Sequence, residues 1–163
     1  VWRKTGVIDD FGLPHKIAFT RSVGQVTNML GVVYIPRRGV SNTEASRKLI
    51  GSDESFRWCD GPESSVYVLC PTPSGSTVTI RAASPLYDVL NVAVSLSGAH
   101  IGTLEFSRRD SIRTAAFSVP KIESKDGPAV LEFRPDRYRD PTGGEGRRLA
   151  FALLEVVVVE PAD

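Results

Sequence analysis

The chain has 163 residues, 20 basic against 19 acidic, a net charge of +1 and 41% apolar residues. That length supports one domain burying roughly 70% of its unfolded surface, and it requires no second domain. Charges of both signs are interspersed, which excludes a nucleic-acid or anionic-membrane footprint, and no apolar run approaches the ~20 residues of a membrane helix.

The expected class is a soluble domain without a signal peptide. Because it begins at Val1 without a methionine, it is expected to be a piece of a longer protein whose remainder is its partner. Residues 1 to 50 read irregularly. Lys16 to Thr20 and Leu30 to Ile35 are strand candidates, the second closed by Pro36, Arg37 and Arg38, with Gly6, Gly12, Pro14, Gly24, Gly31 and Gly39 breaking up the segments between. Asp9 and Asp10 suggest a metal pair but find no third ligand, and Gly12 with Pro14 makes the segment a turn. Ser41 and Glu44 have capping-box spacing, predicting a short helix over Asn42 to Ile50 that Gly51 ends. Fifty residues are few for an independent core, so this segment is expected to pack on the remainder of the chain.

From Ser52 onward short strands recur about every ten residues between Gly, Pro and Ser clusters, the pattern of a sandwich or barrel. Strands are predicted at Ser55 to Cys59, Ser65 to Cys70 and Thr77 to Ala82, the last with Val78 and Ile80 inward and Thr79 and Arg81 outward. Leu90, Val92, Val94 and Leu96 alternate with polar or small residues and run through Ser97 to His100 into Ile101 to Ser107, a hairpin. Ala115 to Val119 stops at Pro120. Leu131 and Phe133 mark another strand, and a polar loop, Pro135 to Glu145, leads into GRRLAFALLEVVVVE at 146 to 160.

This last stretch is the longest apolar run, and its β-branched valines favour a strand over a helix. Leu149, Phe151 and Leu153 share one phase, whereas Val156 and Val158 continue it only if the register slips by one near Leu154 and Glu155. A β-bulge within 153 to 156 is therefore expected, with all five residues buried on one side. Apolar residues on both faces place the strand inside a sheet. The fold class read from these patterns is all-β: an antiparallel β-sandwich, jelly-roll-like, with at most one or two short helices.

Chemistry-bearing residues gather in two places. Phe56 and Trp58 share a strand face, so core filling is the plain reading, with Arg57 paired to a carboxylate such as Glu54 or Glu63. The sharper reading exposes Trp58 to stack on a sugar while Asp53, Glu54 and Arg57 bond its hydroxyls. The loop RPDRYRD at 134 to 140 offers Arg134, Asp136, Arg137 and Tyr138 to a polar or acidic ligand, although a solvated turn is the plainer reading. Arg147 and Arg148 could hold a phosphate or carboxylate, or be ordinary surface at a strand entrance. No catalytic residue can be singled out: GxSxG and P-loop motifs are absent, and His15 and His100 stand in no nucleophile motif. A carboxylate pair for glycoside hydrolysis would be invisible at this level, being a tertiary property. No metal site or cofactor is expected. Cys59 and Cys70 flank a hairpin and could pair, but two cysteines without a signal peptide more often stay reduced.

Five segments, ESFRWCDGPES (54 to 64), TVTIRAA (77 to 83), NVAVSLSGAHIGTLEF (91 to 106), AFSVP (116 to 120) and GRRLAFALLEVVV (146 to 158), come in an order that resembles a known family. It is the β-sandwich accessory domain found with bacterial glycosyltransferases, membrane sugar transferases and methyltransferases of cell-surface polysaccharide synthesis, and the likeness covers about 51 to 159. Glu145, Gly146 and Ala150 depart from its closing strand, which usually carries a small acidic residue before the arginines and a glycine after the leucine. The resemblance implies a galactose-binding-like, non-catalytic module that binds glycan or positions a catalytic domain of the same chain, in the bacterial cytoplasm near the inner membrane, with an extracytoplasmic place left open. Two other readings stay open: a structural, oligomerising or docking sandwich, capsid-like, without a small ligand, and a hydrolase or lyase with an unseen carboxylate site.

Overall fold

The computed structural model describes residues 2–5, 18–21, 34–69, 71–109, 111–122, 127–140 and 146–161. Asp9, Asp10, His15, Cys70 and residues 141–145 lie outside the described residues, as do Lys16, Ile17 and residues 30–33 of the two early strand candidates. β1 (Trp2–Thr5) and β2 (Ala18–Arg21) pair antiparallel as a two-stranded sheet.

Ten further strands make two antiparallel sheets. Sheet I runs β10 (Ile112–Ser118), β7 (Thr77–Ala83), β12 (Leu149–Val159), β5 (Ser55–Asp60), β4 (Glu44–Ala45). Sheet II runs β3 (Tyr34–Arg38), β6 (Ser64–Val68), β11 (Ala129–Pro135), β8 (Leu90–Leu96), β9 (Ala99–Phe106). From β5 onward the chain crosses from one sheet to the other at every connection except the β8–β9 hairpin. The protein is an all-β sandwich of jelly-roll-like form.

Between the sheets lies the larger core: Val78, Ile80, Phe151, Leu153, Val156 and Val158 from sheet I meet Val66, Val92, Leu96, Leu131 and Phe133 from sheet II. The rings of Phe133 and Phe151 pack edge to face at 5.3 Å, and Phe106 lies 6.5 Å from Phe151. Each such buried side chain contributes roughly 1.5–3 kcal/mol relative to exposure. A second cluster sits on the outer face of sheet I, where Ile50, Phe56, Trp58, Ala83 and Ala152 are covered by Leu49, Leu86 and Leu154. Sheet I is thus apolar on both faces around β5 and β12.

The expected bulge is present: the β12–β7 register shifts between Leu153 and Glu155, and Val156 and Val158 join Phe151 and Leu153 in the inter-sheet core. Leu149 departs from the expectation. A second shift between Leu149 and Phe151 in the β12–β5 pairing brings both Ala150 and Phe151 inward, leaving Leu149 against the outer cluster. A two-residue period cannot anticipate two insertions in one strand.

The predicted helix over 42 to 50 shrinks to α1 (Arg47–Ile50), begun by Ser46 and ended by Gly51 at φ +70°. Ser41 and Glu44 make no capping box. Ser41 instead pairs along β5, its N–H donating to the Trp58 carbonyl and its hydroxyl accepting from the Trp58 N–H, and Glu44 lies opposite Phe56. A free strand edge with unpaired backbone groups outcompeted a local cap. The segment running from β3 to β4 therefore leaves the edge of sheet II and closes the edge of sheet I, including a bridge from Val40 to Cys59. At the opposite edge Phe117 lies so close to Gly102 that an added Cβ would fall 2.3 Å from its ring.

The β8–β9 hairpin turns on Ser97 and Gly98 alone, both at positive φ, tighter than the four-residue turn expected.

Candidate functional site

Two packing demands separate the two candidate clusters. In the first, Phe56 and Trp58 alternate with Arg57 and Cys59 along β5, so one pair must enter the outer cluster and the other the space between the sheets. Trp58 is 6% exposed and meets Phe56 edge to face at 5.7 Å, so its ring offers no open face to a ligand. This corrects the sharper reading and agrees with core filling. Arg57 also departs from expectation, because neither Glu54 nor Glu63 reaches it. It donates to the Ser41 carbonyl at 2.8 Å and lies beside the hydroxyl of Tyr34, whose burial pushes that phenol upward. Glu54 has gone to Arg81, in a two-pronged pair of 2.7 and 3.0 Å, with Glu155 3.4 Å from the same guanidinium. The Arg81 bond, helped by Ser52, holds Glu54 below the usual carboxylate range, the opposite of what a general acid needs. Asp53 forms an exposed pair with Arg47 at 3.2 Å. Cys59 is a fully buried free thiol, raised by burial.

The second cluster keeps its polar groups at one end of the sandwich. Here β11 delivers its loop beside the β5–β6 and β7–β8 connections. Asp136 is the clamp: its carboxylate accepts from the backbone N–H and side-chain amide of Asn91 at 3.2 and 2.9 Å, while its own N–H donates to the Asn91 carbonyl at 2.8 Å. Further along, the Arg139 N–H donates to the Leu149 carbonyl and the Gly61 N–H to that of Arg148. These bonds fix residues 136 to 139 against β8 and β12, and tie the β5–β6 connection to the entrance of β12.

On that frame sit two guanidinium–phenol stacks. Arg137 lies over the Tyr87 ring at 5.8 Å and Arg148 over the Tyr138 ring at 5.9 Å, so consecutive loop residues supply one member of each. Tyr138 also rests on Gly61, where an added Cβ would fall 2.2 Å from the ring. Arg134 stands 3.4 Å from Glu63, and Arg147 binds Asp60 at 2.6 Å.

The structure therefore brings together Arg134, Asp136, Arg137 and Tyr138. It keeps them apart from Asp53 and Glu54, which precede β5 while Gly61 follows it, about 20 Å of strand away. Sequence reasoning missed Tyr87 and Asn91, and it offered Glu63 to Arg57 where the structure gives it to Arg134. The one available signal was Tyr87 in the Ser84–Pro85 turn between two strands, where a loop aromatic has no strand face to fill. Its position is set by Ser84, whose hydroxyl donates to the Tyr87 carbonyl at 2.7 Å. Among the described residues no group of three His, Cys, Asp or Glu could hold a metal ion. No described helix is long and apolar enough to cross a membrane.

No family model and no curated protein matches the chain. Several solved structures are similar at low identity. One is an exo-β-1,3-galactanase of Phanerochaete chrysosporium with β-1,3-galactotriose, 13% identical, TM-score 0.47, covering 86% of this chain. This chain spans only 30% of that enzyme's length. A family 35 carbohydrate-binding module of Clostridium thermocellum is 9% identical over 80% of this chain and all of its own, TM-score 0.46. The CBM36-1 domain of a multidomain xylanase from the hindgut metagenome of Trinervitermes trinervoides is 14% identical, TM-score 0.43, over 80% of this chain and 97% of that domain.

Proposed function

We propose that this domain is a non-catalytic glycan-binding module, with its site at the sandwich end built from Tyr87, Asn91, Arg134, Arg137, Tyr138 and Arg148. The observation that carries the reading is the backbone-clamped loop. Hydrogen bonds from or to Asn91, Arg139 and Gly61 hold a set of planar polar side chains still, and planar, bidentate groups suit the vicinal hydroxyls of a sugar. The ion pairs there leave capacity, since a guanidinium has five donors and the Arg134, Arg137 and Arg148 pairs are long, at 3.4, 3.8 and 3.9 Å.

The resemblance to accessory domains of surface-polysaccharide synthesis supplies the proposed setting: a bacterial protein whose catalytic domain lies elsewhere in the same longer chain, working on the cytoplasmic side of the membrane. A docking role would call for a flat apolar patch, and among the described residues Val89 is the one exposed large apolar side chain. A hydrolase would call for a carboxylate raised to act as acid, whereas Glu54 is held in the other direction.

Titrating the isotope-labelled domain with bacterial surface-polysaccharide fragments tests the reading. Saturable amide shifts confined to residues 60–63, 87–91 and 134–140 are expected, with Kd on the order of 0.1–1 mM, because sugar hydroxyls exchange water bonds for protein bonds at small net gain. No shifts at ~10 mM would leave the domain with a structural role.

A further inference from the structure

Resting on that glycan-binding reading, we infer that the ligand is an acidic saccharide, bound through a carboxylate or sulfate ester by the guanidinium groups of Arg137 and Arg148. A neutral sugar is ordinarily held by laying its apolar face on an open aromatic ring. At this end such rings are taken. Tyr138 has Arg148 over its ring and rests on Gly61, with no room for even a methyl group between that glycine and the ring. Tyr87 carries Arg137 on its face, and its remaining surface packs toward the inter-sheet core.

What faces outward is the pair of guanidinium groups, about half exposed at 53% and 52% of their side chains. Attraction to the phenol face uses a guanidinium's charge and none of its N–H donors, whose planar fork matches a carboxylate or sulfate. Asp136 accepts from Asn91 and Asp60 from Arg147, and the carboxylates paired with the two forks, Asp136 with Arg137 at 3.8 Å and Asp140 with Arg148 at 3.9 Å, stand beyond hydrogen-bond length, so both guanidinium groups keep donors for a ligand. A third stack, Arg37 over Tyr67 at 5.9 Å, lies on sheet II and has a donor committed to the Ser65 hydroxyl at 3.2 Å.

The test compares a short oligogalacturonate, a sulfated oligosaccharide and a neutral β-linked oligosaccharide of equal length, by calorimetry and amide shifts on the intact chain. One or both acidic ligands should bind at least about tenfold more tightly than the neutral one, and should weaken as salt rises. The uronate and sulfate arms tell which acidic group is used. Arg137→Gln and Arg148→Gln should each weaken acidic binding about tenfold, as loss of a charge-assisted bond implies. Arg137→Lys, which keeps the charge and loses the fork, should fall between. Arg47→Gln, on α1, should change nothing. Thermal melts would confirm that each variant is folded. Equal affinity for neutral and acidic ligands, or unchanged binding in both glutamine variants, overturns the inference and leaves the glycan-binding reading standing. Absence of binding to all three at ~10 mM overturns both.

Discussion

The two ends of β5 carry similar side chains to opposite fates. Before and along the strand, Glu54, Arg57 and Trp58 are absorbed: the tryptophan into a second hydrophobic cluster, Arg57 into the seam between the sheets, Glu54 into a pair with Arg81. Beyond it, the β11–β12 loop rests on Gly61 and keeps Arg134, Arg137 and Arg148 at the open end. Composition does not separate the clusters. What does is whether the backbone carrying them lies in a sheet covered on both faces. There an aromatic is worth more as packing than as a ligand platform, whereas loop side chains at the end of a sandwich have nothing further to cover.

The sharpest way to break this contrast is Trp58→Ala. A ring this buried, packed on Phe56 and Ile50, should cost about 3–5 kcal/mol on removal, read as a lowered chemical-denaturation midpoint. A near-silent substitution would mean that Trp58 is not core. Gly61→Ala should cost less, roughly 1–3 kcal/mol, because the new methyl forces the Tyr138 ring aside while the sheets remain. Its distinctive effect belongs to the other end: amide shifts over 134 to 140 in the free protein and weakened glycan binding. Shifts spread evenly through both sheets would contradict that division. The smallest effect belongs to Glu54→Gln. Its pair with Arg81 is exposed and worth less than about 1 kcal/mol.

The sign of its pH dependence comes from the direction of the shift. Glu54 is held below the ordinary carboxylate value in the folded state, so it contributes stability above that ordinary value and loses it as pH falls through the lowered folded value. Denaturation midpoints of the parent and Glu54→Gln should therefore converge on acidification. A gap that widens toward low pH would show that the pair does not act as drawn.

Much of the frame was legible. The alternation in Leu90 to Leu96 and in Val78 and Ile80 named their buried faces correctly, and the slip between Leu153 and Val156 announced a bulge. The Ser41 and Glu44 spacing misled because it is a local signal, and the edge of β5 offered Ser41 backbone partners that no local pattern reveals. Arg57 misled for a related reason. Glu54, three residues before it, found a better-placed arginine, Arg81, 27 residues further along the chain.

By itself the sequence determined the class of fold and the inward faces of its strands, because burial of a pleated surface writes a two-residue period into the chain. Only the tertiary structure decided which polar residues became a candidate site. That choice turns on the second cover over Trp58 and on Tyr87 and Gly61 meeting Arg137 and Tyr138 from distant parts of the chain. It also turns on Arg148 closing over a ring that sequence alone would have offered to a sugar. These are contacts between elements far apart in sequence, set by sheet order and register, and no local period encodes them.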